Sequence, residues 1–152
     1  MGLDMYLDNR KYIGANYEFN NITGNIELFR DGKKININFD KVAYVVERVA
    51  YWRKANAIHN WFVENIQDGV DDCKEYYVSI TQLHNLLDKV DAVLNDHSLA
   101  STILPSKSGF FFGNTAYDNW YYEELEYTKE ILENIIQNSK PYEDTLYYSS
   151  SW

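Results

Sequence analysis

A single cysteine, Cys73, stands among 152 residues, so no internal disulfide can form and a reducing, cytoplasmic setting is expected. Only two prolines occur, Pro105 and Pro141, and no Pro-, Gly- or Ser-rich stretch marks a linker, so residues 1–152 read as one domain. No apolar run approaches the roughly 20 residues that span a bilayer, and no charged-then-apolar leader opens the chain. A membrane partner is not expected. Basic residues are also few: 14 Lys and Arg face 23 Asp and Glu, a formal net charge of −9, which opposes direct attachment to nucleic acid. His59, His84 and His97 share no four-residue helical spacing and no His-Glu-x-x-His context. No metal, cofactor or catalytic residue is therefore expected, and Cys73, lacking cationic neighbours, reads as a small packed side chain.

What the chain does have is aromatic rings and an uneven charge. Fourteen tyrosines, seven phenylalanines and four tryptophans supply large amphipathic contact area, suited to a core, a ligand cleft or an interface. Residues 1–54 carry nine basic and seven acidic groups, whereas residues 55–152 carry five and sixteen. An anion site should therefore draw on the first third, and the aromatic surplus allows a homodimer.

The order of elements points to an α+β fold, a small, mainly antiparallel sheet packed with about three helices, the longest of them central. Leu3 to Leu7 alternates like a half-buried strand. A polar stretch follows through Asn16, and then Ile26–Phe29 and Ile35–Phe39 flank Asp31-Gly32, a strong hairpin signal. Val42–Val46 fits a strand or an early helical turn. From about Glu47 to Ile66 the reading is a long helix closed near Gly69, with Tyr44, Tyr51, Ala55, Ile58, Phe62 and Ile66 on one face and Val45, Val49, Trp52 and Val63 widening it. Tyr76–Val78 reads as a short strand. Ser79 and Gln82 form a capping box for a helix striped by Leu83, Leu86, Leu87, Val90, Val93 and Leu94. Residues 97–114 read as a long loop, and Thr115 with Asp118 starts a further helix that runs to Asn138. Its expected inner face is Tyr117, Tyr121, Thr128, Ile131, Leu132 and Ile135. Its outer face carries Glu123, Glu126, Glu130 and Glu133. Thr145–Tyr148 has strand character and a natural place beside the first strand.

Two stretches carry the chemistry. In Tyr51–Phe62, Arg53, Asn56 and Asn60 fall on one helical side, with Trp52 and His59 adjoining. Arg offers a donor fork to phosphate, Asn pairs with a base edge, and Trp supplies a stacking surface. The bland reading makes Asn56 and His59 a structural network. In Gly109–Tyr122, Asn114 and Thr115 stand before a helix N-terminus, where free N–H groups favour an anion, and Phe110 and Phe112 sit between glycines. Asp118 opposes a second negative charge there. The acid pairs Asp71/Asp72 and Asp118/Glu123 have the form of general acid–base partners but arise by chance in an acidic chain.

The Met1–Leu7 start, the Tyr51–Phe62 block, Gly109–Gly113 through Trp120–Tyr122, and the closing Ser151-Trp152 resemble a family of small, mostly uncharacterised proteins of phages and prophages. The resemblance implies a dispensable accessory protein of the host cytoplasm, a category rich in inhibitors of host defence. Residues and resemblance together lead to a non-catalytic protein that binds a nucleotide-like small molecule and sequesters a defence signal. One wall would hold Trp52, Arg53, Asn56, His59 and Asn60, the other Phe110, Phe112, Asn114 and Thr115. The alternative is an acidic nucleic-acid mimic that binds a host protein, a defence or nucleic-acid enzyme, through the glutamate face.

Overall fold

The structure, a computed structural model, describes residues 2–14 and 22–152. Part of the polar stretch through Asn16 lies outside them. The first strand, β1 (Asp4–Tyr12), buries Met5, Leu7 and Asn9 and turns Asp4, Tyr6, Asp8 and Arg10 outward, as its alternation requires. The hairpin forms where Asp31-Gly32 places it, joining β2 (Leu28–Arg30) to β3 (Lys33–Ile35), with Asp31 at φ 50° and Gly32 at φ 74°. Two positive φ values in succession are what a tight turn of this hand demands.

The largest departure from expectation follows. Tyr44–Arg53 is a strand, β4, and the helix expected from Glu47 begins only at Asn56. In ten residues the apolar positions fit a helical face and a pleated strand about equally, and long-range pairing decides. β4 runs antiparallel to β1 with Tyr6 opposite Tyr51 and Met5 opposite Trp52, interrupted by one irregularity at Leu7/Asp8. The β-branched Val45, Val46 and Val49 and the rings of Tyr44, Tyr51 and Trp52 favour that pleated surface.

The helix that remains, α1 (Asn56–Ile66), buries eight of its eleven residues. A helix covered nearly all round belongs at the centre of a fold, and this one packs Ile58, Trp61, Phe62 and Ile66 into the core. Its end near Gly69 is as expected: the Gly69 N–H donates to the Val63 carbonyl at 2.9 Å, with Gly69 at φ 77°. After β5 (Tyr76–Val78) comes α2 (Ile80–Asn95). The Ser79–Gln82 capping box is present, and Leu83, Leu86, Val90 and Val93 are buried.

The expected loop over 97–114 is partly helical. It holds a 3-10 turn at His97–Leu99 and a single helical turn, α3 (Ala100–Ile103), before irregular chain resumes. The longest helix, α4 (Asn119–Asn138), starts four residues beyond Thr115, because the Asp118 carboxylate itself accepts from the Tyr121 N–H. It buries Tyr121, Leu125, Thr128 and Leu132, while Tyr117 stays outside the helix and largely exposed. Finally β6 (Leu146–Ser151) pairs antiparallel with β1, beside which it was expected.

The main sheet has the order β4-β1-β6-β5, all antiparallel, and β2-β3 forms a separate ribbon. The inward residues Met5, Leu7, Ala50, Trp52, Leu146 and Tyr148 join one core with α1, α2 and α4. This is an α+β fold with one face of the sheet under the helices. No helix among the described residues is long and apolar enough to cross a membrane.

Candidate functional site

Chain segments far apart in sequence meet where β4 passes into α1. The Leu3 N–H donates to the Phe111 carbonyl at 3.1 Å, and the Lys54 N–H donates to the Leu3 carbonyl at 2.8 Å. Lys54 has a left-handed φ of 61°, which ends the strand and turns the chain into α1. Its side chain crosses Gly113, where φ is 84° and a Cβ would stand 3.3 Å from the Lys54 Cβ. Glycine alone satisfies both the dihedral and the close approach.

The N-terminus of α1 opens into a cleft here. Ala55, at the N-cap, makes no side-chain cap, the first turn carries no acidic residue, and neither the Ala57 nor the Ile58 N–H has a partner among the described residues. Both residues line the cleft, together with Lys54, Asn114, Trp120, Tyr121 and Glu124. The space is about 320 Å³ counted to its open mouth. Within its walls there is room for little more than one water. Trp120 is half exposed at the rim. Helix dipole, free N–H groups and a lysine ammonium together favour an anion, and the indole offers a flat face for a ring.

Glu124 sits in the wall with its Oε2 buried and unpartnered. Burial pushes its carboxyl up, and the neighbouring Glu123 adds to this. The folded state therefore holds the Glu124 proton more tightly than the unfolded chain does. Its penalty is absent at low pH and grows as pH rises through the usual carboxylate range. A Glu124→Gln variant should match the wild type in melting temperature near pH 4 and exceed it near pH 7. A difference of the opposite sign at neutral pH would show that the carboxylate is stabilised by a partner.

Behind the cleft, Asn56 holds the 104–118 loop to α1. Its Nδ2 donates to the carbonyls of Phe112 at 3.0 Å and Asn114 at 2.8 Å, and its Oδ1 accepts from the Lys107 N–H at 3.0 Å. Deeper lies a chain of three polar groups. Burial pushes the Tyr148 hydroxyl far above its ordinary range, and it shares a hydrogen bond with His59 Nδ1, 2.7 Å away. His59 Nε2 shares another with an Asp71 carboxylate oxygen at 2.9 Å. The Trp152 Nε1–H donates to the other Asp71 oxygen at 3.1 Å, and the Phe112 ring meets His59 edge-on.

Of the nine residues expected to form two facing walls, five gather here: Arg53, Asn56, His59, Phe112 and Asn114. Asn56, His59 and Phe112 are buried and satisfied from within the chain, the structural network weighed against the functional one. Arg53 is exposed, 4.0 Å from Asp4. Asn114 spans the loop, accepting from the Ala116 N–H and donating to Asp118 at 2.7 Å. Trp52 lies in the core at 1% exposure, because β4 replaces the expected helix and turns its ring inward. Asn60 belongs to a different cleft, with Trp61, Glu64 and Lys89. Thr115 is exposed, and Phe110, 94% exposed, points away into water.

Lys54, Trp120, Glu124 and Tyr148 were not singled out from the sequence, nor was Trp152 as a partner of Asp71. Trp120 and Lys54 stood inside the two marked blocks. Nothing local links His59 to Tyr148, since they meet only when β6 joins the sheet.

The paired carboxylates do not act as pairs. Asp72 binds Lys74 at 2.6 Å, which lowers its carboxyl below the usual range, while Asp71 faces His59. Asp118 is spent on capping α4. Cys73 is exposed rather than packed, at a turn with φ 57° between α1 and β5. Among the described residues no three His, Cys, Asp or Glu side chains gather into a metal site. The glutamates at 123, 126, 130 and 133 are all exposed, as expected.

No family model, curated protein or solved structure matches this chain. Its functional reading therefore rests on its own residues.

Proposed function

We propose that this is a phage or prophage accessory protein of the host cytoplasm that binds a phosphate-bearing, nucleotide-like small molecule without turning it over, and so withdraws a host-defence signal. The observation that carries the reading is the uncapped N-terminus of α1, where Ala57 and Ile58, whose N–H groups are unpartnered among the described residues, line a cleft with Lys54 and Trp120. Phosphate oxygens would take the N–H groups and the ammonium, and the base would lie on the Trp120 indole at the open rim. The space within the walls admits little more than one water, so the phosphate would sit at the open mouth against the α1 terminus, with the sugar and base beyond it. Glu124 lies in the wall with one carboxyl oxygen unpartnered, open to a hydrogen bond with a base edge.

Binding without catalysis is supported by His59, which is 1% exposed with both ring nitrogens engaged by Tyr148 and Asp71. It has no path to a ligand in the cleft. Three of the four stretches behind the family resemblance also meet around this spot, through the contacts Leu3–Phe111, Lys54–Leu3 and Asn56–Asn114.

Calorimetric titration with a panel of nucleoside mono-, di- and cyclic phosphates tests this, alongside mass spectrometry of small molecules released from purified protein. One phosphorylated nucleotide should bind, and Lys54→Ala and Trp120→Ala should each weaken it by about tenfold, roughly 1.4 kcal/mol. Both side chains are exposed, so folding should be unchanged. If no phosphorylated nucleotide binds, or both variants bind as the wild type does, the reading fails.

A further inference from the structure

The segment 22–48 contains no buried residue. Within it the β2–β3 ribbon packs on itself and makes no substantial contact with any other element. A ribbon of three-residue strands is marginal in water unless something covers it. This one leaves Leu28 and Phe29 exposed on the hairpin and Ile22 and Ile37 beside it. Its tip is basic: Lys34 is paired with Glu27, but Arg30 and Lys33 have no acidic partner among the described residues.

A surface of matching character lies elsewhere on the same molecule. Between α4 and β4 runs an open groove of about 780 Å³ counted to its mouth, lined by Val49, Ile131 and Tyr127 together with Glu130, Glu133, Asn134 and Gln137. Lys129 pairs with Glu133 and Asp91, while Glu130 in the groove and Glu126, one turn before it on α4, are left without a cation among the described residues. The arm thus offers apolar side chains beside free cations, and the groove offers three apolar side chains among polar ones, with free carboxylates beside them.

In the structure the arm makes no substantial contact with the groove of its own chain. It leaves the sheet beyond the Tyr12–Tyr44 pair, whereas Val49 lies five residues back along β4, about 17 Å in the opposite direction. We propose that the β2–β3 hairpin of one copy docks into the α4–β4 groove of a second copy and receives that copy's hairpin in return, giving a two-fold symmetric dimer by exchange of arms. Such an isologous contact uses the same two patches twice. It covers the exposed apolar residues of both arms and pairs Arg30 and Lys33 with Glu126 and Glu130.

Light scattering after size exclusion, at about 50 µM protein in low and high salt, tests the proposal. The wild type should be a dimer at low salt and dissociate about tenfold more readily at high salt. Arg30→Glu with Lys33→Glu, or Glu126→Lys with Glu130→Lys, should give monomers. All four changes in one chain should restore the dimer. Phe29→Ser should weaken it at every salt concentration. All these positions are exposed, and circular dichroism confirms that each variant is folded. A wild type that is monomeric throughout, a charge-reversed arm that dimerises as well as the wild type, or a fourfold variant that stays monomeric would overturn the proposal. A folded monomer whose arm retains nucleic acid or another acidic protein would assign the arm to that occupant instead.

Discussion

The Trp52→Ala variant should lose about 3–5 kcal/mol of stability, the usual cost of emptying a buried tryptophan site. The ring is 1% exposed, 6.0 Å from the Phe62 ring by centroids, and its Nε1–H donates to Thr128 Oγ1 at 2.9 Å. Removing it opens a cavity between β4, α1 and α4 and takes away the donor to Thr128, whose hydroxyl keeps its own bond to the Glu124 carbonyl. A domain of this size has about 5–15 kcal/mol in total, so the loss would take between about a fifth and all of it. Urea denaturation measures the loss. A cost under about 1 kcal/mol would mean that the ring is not a core element. The result also guards the binding experiments. Weak nucleotide binding by Trp52→Ala would report lost folding, and the exposed Trp120 is the ring whose removal tests stacking.

Asn56→Ala should cost about 2–4 kcal/mol, because two carbonyls and one N–H lose their partner in a buried or half-buried place. Those three bonds hold residues 107, 112 and 114 against the start of α1. Once they are gone, the wall carrying Phe112 and Asn114 should separate from α1. Two readouts distinguish this from general destabilisation. Proteolysis should cut first between 106 and 114, and any ligand of the α1 cleft should be lost at temperatures where circular dichroism still reports a folded helix. Uniform protection of that loop in a folded variant would show that Asn56 does not hold it.

Several elements were legible because their signals are local. The Asp31-Gly32 turn needs two positive φ values and has the residues for them. The Ser79–Gln82 box satisfies its own helix end, and β1 shows its buried face by simple alternation. Tyr44–Arg53 was misread because ten residues of mixed β-branched and aromatic character satisfy both periods. The partner that settles the matter, β1, lies forty residues away in sequence. That one error moved the whole candidate site. On a helix from Glu47, Trp52 and Arg53 share a face with Asn56 and Asn60. On a strand that turns at Lys54, Trp52 points into the core, Arg53 points out, and the start of α1 becomes a free helix end.

Composition and local pattern by themselves determined the α+β class, the acidic and aromatic character, the hairpin and the capped second helix, because each depends on residues close together in the chain. Tertiary structure alone decided which marked residues are interior, that Tyr148, His59 and Asp71 form a hydrogen-bonded chain, and that Lys54 and Trp120 share a cleft. Burial and hydrogen bonding are properties of neighbours in space. Those neighbours are chosen by the antiparallel pairing of β1 with β4 and β6, which brings residues up to 147 positions apart into register.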